Sequence, residues 1–357
     1  MPKVAFPHLG MIYVPMQVLF RQLDIEVVVP PLSSSRSLAL GSRYSPEFVC
    51  IPYKLVLGNF LEGLDRGADT LILLAGPNNC RFGYYSRLQS QVLQELGYHF
   101  EMLTPQISSR TINGVTDILR RLSGNCASRW DCLRAIMLAL GVLRDLDEIE
   151  RQMQWVRARE LRTGDAQKVF EEASLALTAV ESPEELKKKK LECLDRLADV
   201  SIDRGHRPLR VSLVGEIYVT HEPFINRYLE KELGKKRVEV TRSEQLSQWL
   251  VISPALLLEA AGLGHEAKIA RAAQPYLEHL HGETIGQTVI AARDGFDGVI
   301  HLTPFTCTPE IVNLNVLGRL RQDWDIPVLS LVLDEQSGDA GLFTRLEAFL
   351  DLLKRRH

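Results

Sequence analysis

The chain has 357 residues, enough for two domains with a further element between them. Its 45% hydrophobic and 24% charged content is ordinary for a soluble globular protein, and a net charge of −3 gives no electrostatic reason to expect a nucleic-acid partner. The opening Met1-Pro-Lys-Val-Ala-Phe-Pro7 lacks the apolar core of a secretory signal and no apolar run is long enough to span a bilayer, so a cytoplasmic protein without a membrane partner is expected.

Lys3 to Phe6 reads as a short strand, Gly10 to Gln22 has helical apolar spacing, and Ile25 to Val29 is a β-branched strand run. Ser33 to Ser37 reads as a polar loop, because serines compete locally with regular backbone pairing. Ser45-Pro46 then reads as a helix start, with Ser45 as cap and the helix running to about Leu64; Cys50 falls in its first turns and Lys54 one turn further on. Thr70 to Ala75 is an apolar strand, and the loop Gly76 to Gly83 leads into a helix ending near Leu96, which places Cys80 between strand and helix. Residues 1–105 thus alternate strand and helix, the pattern of a mostly parallel sheet covered by helices.

From 106 to 206 the strand pattern is lost. Ile112 to Leu122, Ser128 to Leu146, Asp147 to Leu161 and Asp165 to Val180 have helical spacing, and Ser182-Pro-Glu-Glu185 resembles a helix start with a capping box. Lys187 to Lys190 reads as the solvated face of that helix. The alternation returns over 207–357. Leu209 to Val214 is a strand followed by Gly215 and Glu216; Pro223 to Leu233 is a helix, Arg237 to Thr241 a strand and Ile285 to Arg293 a helix. Gly298 to Thr303 is a strand, and the helix after it is capped by Thr308 with Pro309 at its first position, so Cys307 also lies between strand and helix. Pro327 to Leu333 is the last strand, and Ser337 and Asp339 read as caps of a final helix over Leu342 to Lys354. The expected fold is therefore α/β: two doubly wound, Rossmann-like domains with parallel sheets (1–105 and 207–357) and a helical segment (106–206) between them.

The six cysteines are Cys50, Cys80, Cys126, Cys132, Cys193 and Cys307. In this setting they do not read as a disulfide framework, and with no Cys-x-x-Cys pair any metal site has to be assembled from distant segments. In open α/β sheets the functional crevice lies beyond the carboxyl ends of the strands. Cys80 and Cys307 are expected at that edge, one per domain, and Cys50 opens a helix leading towards the strand before Cys80. Near a helix N-terminus, backbone N–H groups and the dipole favour a thiolate. Three such thiolates suit an iron–sulfur cluster; zinc, a redox thiol or plain burial accounts for the same spacing. Lys54 and Arg81 would moderate the charge of a cluster. Glu216 faces the same crevice as a proton-transfer group or as a structural hydrogen-bond acceptor. His301, inside an apolar strand, reads as a satisfied core histidine, and Cys126, Cys132 and Cys193 read as packing residues. Gly262-Leu-Gly-His265 is too slight to count as a phosphate-binding loop.

Five stretches together resemble one family: Ser45-Pro-Glu-Phe-Val-Cys-Ile-Pro-Tyr-Lys-Leu-Val-Leu-Gly-Asn59, Asn79-Cys-Arg-Phe-Gly-Tyr-Tyr85, Val214-Gly-Glu-Ile-Tyr-Val219, the segment around Cys307, and Asp334-Glu-Gln-Ser-Gly-Asp-Ala-Gly341. In order and over the whole chain, they are similar to the 2-hydroxyacyl-CoA dehydratase superfamily, nearest its stand-alone CoA protein activase or acyl-CoA dehydratase activase-related branch. The resemblance implies a [4Fe–4S] cluster between two α/β domains, with Cys50, Cys80 and Cys307 as ligands. It also implies low-potential electrons delivered by a separate ATP-hydrolysing iron–sulfur activator, and pairing with a sister dehydratase-like subunit or a second copy of the chain. The implied substrate is an acyl-CoA thioester; in the dehydratases a 2-hydroxyacyl-CoA is reduced to a ketyl radical and loses water. A non-catalytic electron relay or scaffold, or a double-cubane reductase of small molecules, is the alternative. Two departures stand out: Asn78-Asn79 where relatives have Gly-Pro, and Thr306 where they have Gly before the third cysteine. A double cubane needs more thiolates than the three matched positions supply, so a single cubane is expected.

Overall fold

Every strand in the described chain belongs to one of two four-stranded, fully parallel sheets. The structure, a computed structural model, describes residues 2–74, 80–105, 112–250, 264–277 and 283–356. In chain order the elements are β1 (Lys3–Ala5), α1 (Tyr13–Arg21), β2 (Glu26–Val27), α2 (Ser35–Arg43), α3 (Ile51–Asp65), β3 (Thr70–Ile72), α4 (Phe82–Glu95) and β4 (Glu101–Leu103). Then come α5 (Ile112–Leu122), α6 (Arg129–Arg157), α7 (Asp165–Leu177) and α8 (Pro183–Ala198). The remaining elements are β5 (Arg210–Gly215), α9 (Ile217–His221), α10 (Leu229–Lys235), β6 (Glu239–Arg242), α11 (Leu246–Trp249), α12 (His265–Ala273), α13 (Glu283–Arg293), β7 (Gly298–Pro304), α14 (Thr308–Asp323), β8 (Val328–Leu333) and α15 (Asp339–Lys354).

The sheets have the same order, β2-β1-β3-β4 and β6-β5-β7-β8. In each, the chain moves outward from the first strand and then returns to its other side, which makes a topological switch point beside the first and third strands. The α/β class and the doubly wound parallel sheets are thus as the alternation of strand and helix implied. Residues 1–146, 172–191 and 250–252 form one unit and residues 147–171, 192–249 and 253–357 the other, so the helices expected between two domains are divided between the units.

In the first unit α3 is buried on every side from Ile51 to Leu64. Such a helix has to satisfy its polar side chains internally. Lys54 Nζ donates to the Glu47 carbonyl (3.3 Å), Asn59 Oδ1 accepts the His8 N–H (3.1 Å), and Glu62 accepts the Ser37 hydroxyl (2.7 Å). The backbones of α2 and α3 are in contact. A Cβ on Gly41 would lie 1.6 Å from the Lys54 oxygen, and one on Gly58 1.9 Å from the Ser37 oxygen. In the second unit β7 is buried along its whole length. Arg242 of β6 binds both carboxylate oxygens of Glu150 (2.9 and 2.7 Å) and one of Glu230 (2.6 Å), a buried cation held between two anions.

Several sequence expectations are corrected. Ser33 to Ser37 is a helix start rather than a loop: Ser34 and Ser37 exchange hydroxyl-to-backbone bonds in a capping box at the head of α2. The helix containing Lys54 starts at Ile51, not at Ser45, because Ser45 Oγ instead donates to the Gly41 carbonyl at the end of α2 (2.6 Å) and Cys50 is extended. The two helices expected over 128–161 are one 29-residue helix, α6. The helix expected from Pro223 begins at Leu229, after Arg227 and Tyr228 adopt positive φ (58° and 54°). Gly338, not Ser337 or Asp339, caps α15; Ser337 Oγ donates to Asp334 (2.8 Å) within the preceding loop. Ala75 to Asn79, including the Asn78-Asn79 departure, and Gly262 and Leu263 lie outside the described residues.

Substituting Gly58 with Ala drives a methyl group into the Ser37 carbonyl. It is expected to destabilise the first unit by about 3 kcal/mol, the scale of overpacking in a close-packed core, read as a fall in the urea midpoint.

Candidate functional site

The carboxyl edge of the first sheet carries two of the expected cysteines. Cys50 is the N-cap of α3 (φ −69°, ψ 155°), and Pro52 in the first turn suits that start. Its thiol makes no capping bond to the helix; it stands 2.7 Å from the Tyr85 hydroxyl. Cys80 precedes α4, and its Sγ accepts the Phe82 N–H (3.4 Å). Tyr85 is held far above its ordinary pKa by burial first and then by the Cys50 thiol, with a smaller contribution from Cys80, so both sulfurs act on the same hydroxyl. Lys54 and Arg81 donate to adjacent carbonyls, Glu47 and Phe48, and so fix the turn that leads into Cys50 (both 3.3 Å). An apolar cavity of about 110 Å³ opens at the same edge, lined by Ile72, Leu74, Pro105, Leu119 and Ala139 among others.

The equivalent edge of the second sheet carries Cys307. Phe305 and Thr306 follow β7, and Cys307 itself, not Thr308, is the N-cap of α14, with Pro309 second in the helix. The Cys307 N–H donates to the Pro304 carbonyl (3.1 Å), which draws the loop tight and puts Thr306 at φ +67°. A β-branched residue there is strained, and glycine is the residue that this backbone favours. Cys307 is 7% exposed.

Beside Cys307, β5 ends at Gly215 (φ +131°), where a Cβ would lie 2.0 Å from the Leu302 oxygen. Only glycine lets the two central strands stay paired to that point. Glu216 follows as N-cap of α9, its carboxylate accepting the Val219 N–H (3.1 Å). Burial pushes its pKa up to about 7; the N–H groups of Tyr218 and Val219 oppose the shift, and the Glu310 and Glu283 carboxylates add to it. Both readings of Glu216, structural acceptor and proton-holding group, therefore describe the same atoms. Glu244 is pushed up to about 8, again by burial first and then by Glu283. His301 is fully buried and satisfied, as expected: Nε2 bonds Glu310 (2.7 Å) and Nδ1 bonds Ser330 Oγ (3.1 Å). Thr284 Oγ1 donates to the same Glu310 carboxylate (2.9 Å).

The first unit thus brings Cys50, Cys80, Lys54 and Arg81 to one edge, and the second brings Cys307 and Glu216 to the corresponding one. Among the described residues no three His, Cys, Asp or Glu side chains are grouped to hold a single metal ion. As a donor set, three thiols at or beside helix N-termini fit a thiophilic cluster. The other cysteines are elsewhere: Cys132 is in the core of the first unit, Cys193 is buried with its pKa pushed up to about 11, and Cys126 is exposed on a tight turn instead of packed as expected. Tyr85 and Glu310 are the residues that sequence reading missed. Tyr85 closes the stretch 79–85, where the sequence alone assigns it no role, and the position of Glu310 in the first helical turn after His301's strand is the signal for that pair. Among the described residues no helix is long and apolar enough to cross a membrane. No family model matches the chain, and no curated protein matches it.

Two outcomes follow from this geometry. Replacing Thr306 with Gly relieves a left-handed β-branched residue and is expected to stabilise the protein by roughly 1 kcal/mol, read as a higher urea midpoint at unchanged slope. Glu216 has a folded pKa raised from 4.5 to about 7, so the folded state binds the extra proton. Its contribution to stability is fully present below about pH 4.5 and is lost as the pH rises towards 7. Urea unfolding across this range should show that decline in the wild type and a flatter profile in Glu216→Gln.

Proposed function

We propose that this chain is an iron–sulfur protein that holds a [4Fe–4S] cluster on Cys50, Cys80 and Cys307 and delivers low-potential electrons to a substrate, with an acyl-CoA thioester as the expected class. The observation that carries the reading is a repeated one. Two sheets of identical order each follow their third strand with a cysteine at a helix start: Cys80 one residue before the N-cap of α4, Cys307 on the N-cap of α14. Cys50, on the N-cap of α3 and hydrogen bonded to a tyrosine that also senses Cys80, adds the third thiol.

When bound, such a cluster supplies one-electron transfer at low potential. The remaining roles fall to the chain. N–H groups at the helix starts, together with the cations Lys54 and Arg81, offset the negative charge of the thiolates. Glu216, poised near neutral pH, holds or releases a proton at its carboxyl oxygen. The His301–Glu310–Thr284 set fixes the first turn of α14 behind Cys307. In this reading electrons come from an ATP-hydrolysing iron–sulfur activator, and the chain works with a sister subunit or a second copy of itself.

Anaerobic purification or reconstitution, followed by iron and acid-labile sulfide analysis, tests the reading. About four of each per chain are expected. Cys50→Ser, Cys80→Ser and Cys307→Ser should each lose more than half of the iron, whereas Cys193→Ser should match the wild type. Wild-type protein that retains neither iron nor sulfide after reconstitution overturns the proposal.

A further inference from the structure

We infer that Tyr85 is a positioning residue for the Cys50 sulfur: its hydroxyl donates a hydrogen bond to that sulfur, orients it towards the cluster and raises the cluster's reduction potential. The inference rests on the reading of Cys50 as a ligand. The hydroxyl lies 2.7 Å from Sγ, and a thiolate bound to iron has no proton, so only the phenol can donate. Packing fixes where that hydroxyl goes. Tyr85 is 3% exposed, in the second turn of α4, with its ring edge-on to Tyr53 (4.7 Å, 84°) and tilted against Phe82 (5.5 Å, 53°).

A phenylalanine would pack the same ring against the same neighbours, so packing alone does not require the oxygen. Tyr53 provides the contrast inside the same cluster of rings. Its hydroxyl is buried without a hydrogen-bond partner among the described residues. The two sulfurs of this unit also differ in how they are served. Cys80 takes its hydrogen bond from a backbone N–H, which every residue type at position 82 other than proline supplies; Cys50 takes its bond from a side chain, where a single substitution removes it. Hydrogen bonds to ligating sulfur withdraw electron density from the metal–sulfur bond and favour the reduced cluster.

The test compares the reconstituted wild type with Tyr85→Phe and Tyr53→Phe under anaerobic conditions. Iron and sulfide content, the reduction midpoint by EPR-monitored titration, and the iron–sulfur stretching bands by resonance Raman are measured for each. Tyr85→Phe should keep its iron, move the midpoint to a more negative value and shift a stretching band upward; Tyr53→Phe should match the wild type in all three. Introducing 3,5-difluorotyrosine at position 85, a stronger donor, should move the midpoint the opposite way. If Tyr85→Phe loses its iron while melting and far-UV circular dichroism match the wild type, the hydroxyl is needed to retain the cluster rather than to tune it, and the inference is overturned. Equal midpoints in Tyr85→Phe and wild type, or equal shifts in both phenylalanine variants, overturn it and leave the cluster reading intact. A wild type that binds no iron overturns both.

Discussion

Where α2 and α3 cross, backbone meets backbone. With glycine at 41 and 58, no side chain acts as a spacer, and the carbonyls of Lys54 and Ser37 occupy the space where two methyl groups would otherwise be. A crossing of this kind has one distance and almost no freedom to slide, because close-packed interiors do not deform continuously. It fixes α3, and α3 in turn fixes Cys50 at its head. Asn59, Glu62 and Lys54 of α3 then find partners on separate elements: His8 beyond β1, Ser37 on α2 and the turn at Glu47. Each is a directional demand met only at the one axial position that the glycines set.

The second unit reaches the same sheet order by other means. Its central strand β7 is buried throughout, and the pairing of β5 with β7 extends to Gly215 only because that residue has no Cβ. The chemistry at the two edges differs accordingly. Around Cys50 and Cys80 the neighbours are aromatic rings and cations. In the second unit the carboxylates of Glu283 and Glu310 act on Glu216, and burial lifts Glu216 and Glu244 towards neutrality.

The strand–helix alternation was legible because β-branched runs and helical spacing are local properties, and both sheets follow from them. What stayed hidden depends on which of several available partners each side chain takes. Ser34 and Ser37 look like loop residues until they bond to each other's backbone. Ser45 looks like a cap, yet it bonds backward to Gly41 and leaves Cys50 to start the helix. Arg227 and Tyr228 give no sequence hint of the left-handed turn that delays α10. At the site, the cysteine positions could be read from the segments around them, whereas Tyr85 could not: its role depends on a residue 35 positions earlier. Glu310 was similarly concealed, since its partners His301 and Thr284 come from a strand and from another helix.

The division of the chain has a consequence for how this protein can be cut. The first unit draws on residues before 147, on 172–191 and on 250–252, so the polypeptide passes from one unit to the other five times. A fragment ending at Leu146 would lack Glu172–Leu191, including the end of α7 and the start of α8, where the Thr178 carbonyl accepts from Arg21 and the Glu181 carbonyl from Gln22. Neither unit is a contiguous stretch of the gene. A single proteolytic nick therefore releases no intact half, and domain exchange with another chain would require several simultaneous crossovers. The interleaving ties the inheritance of both cysteine-bearing edges into one indivisible reading frame.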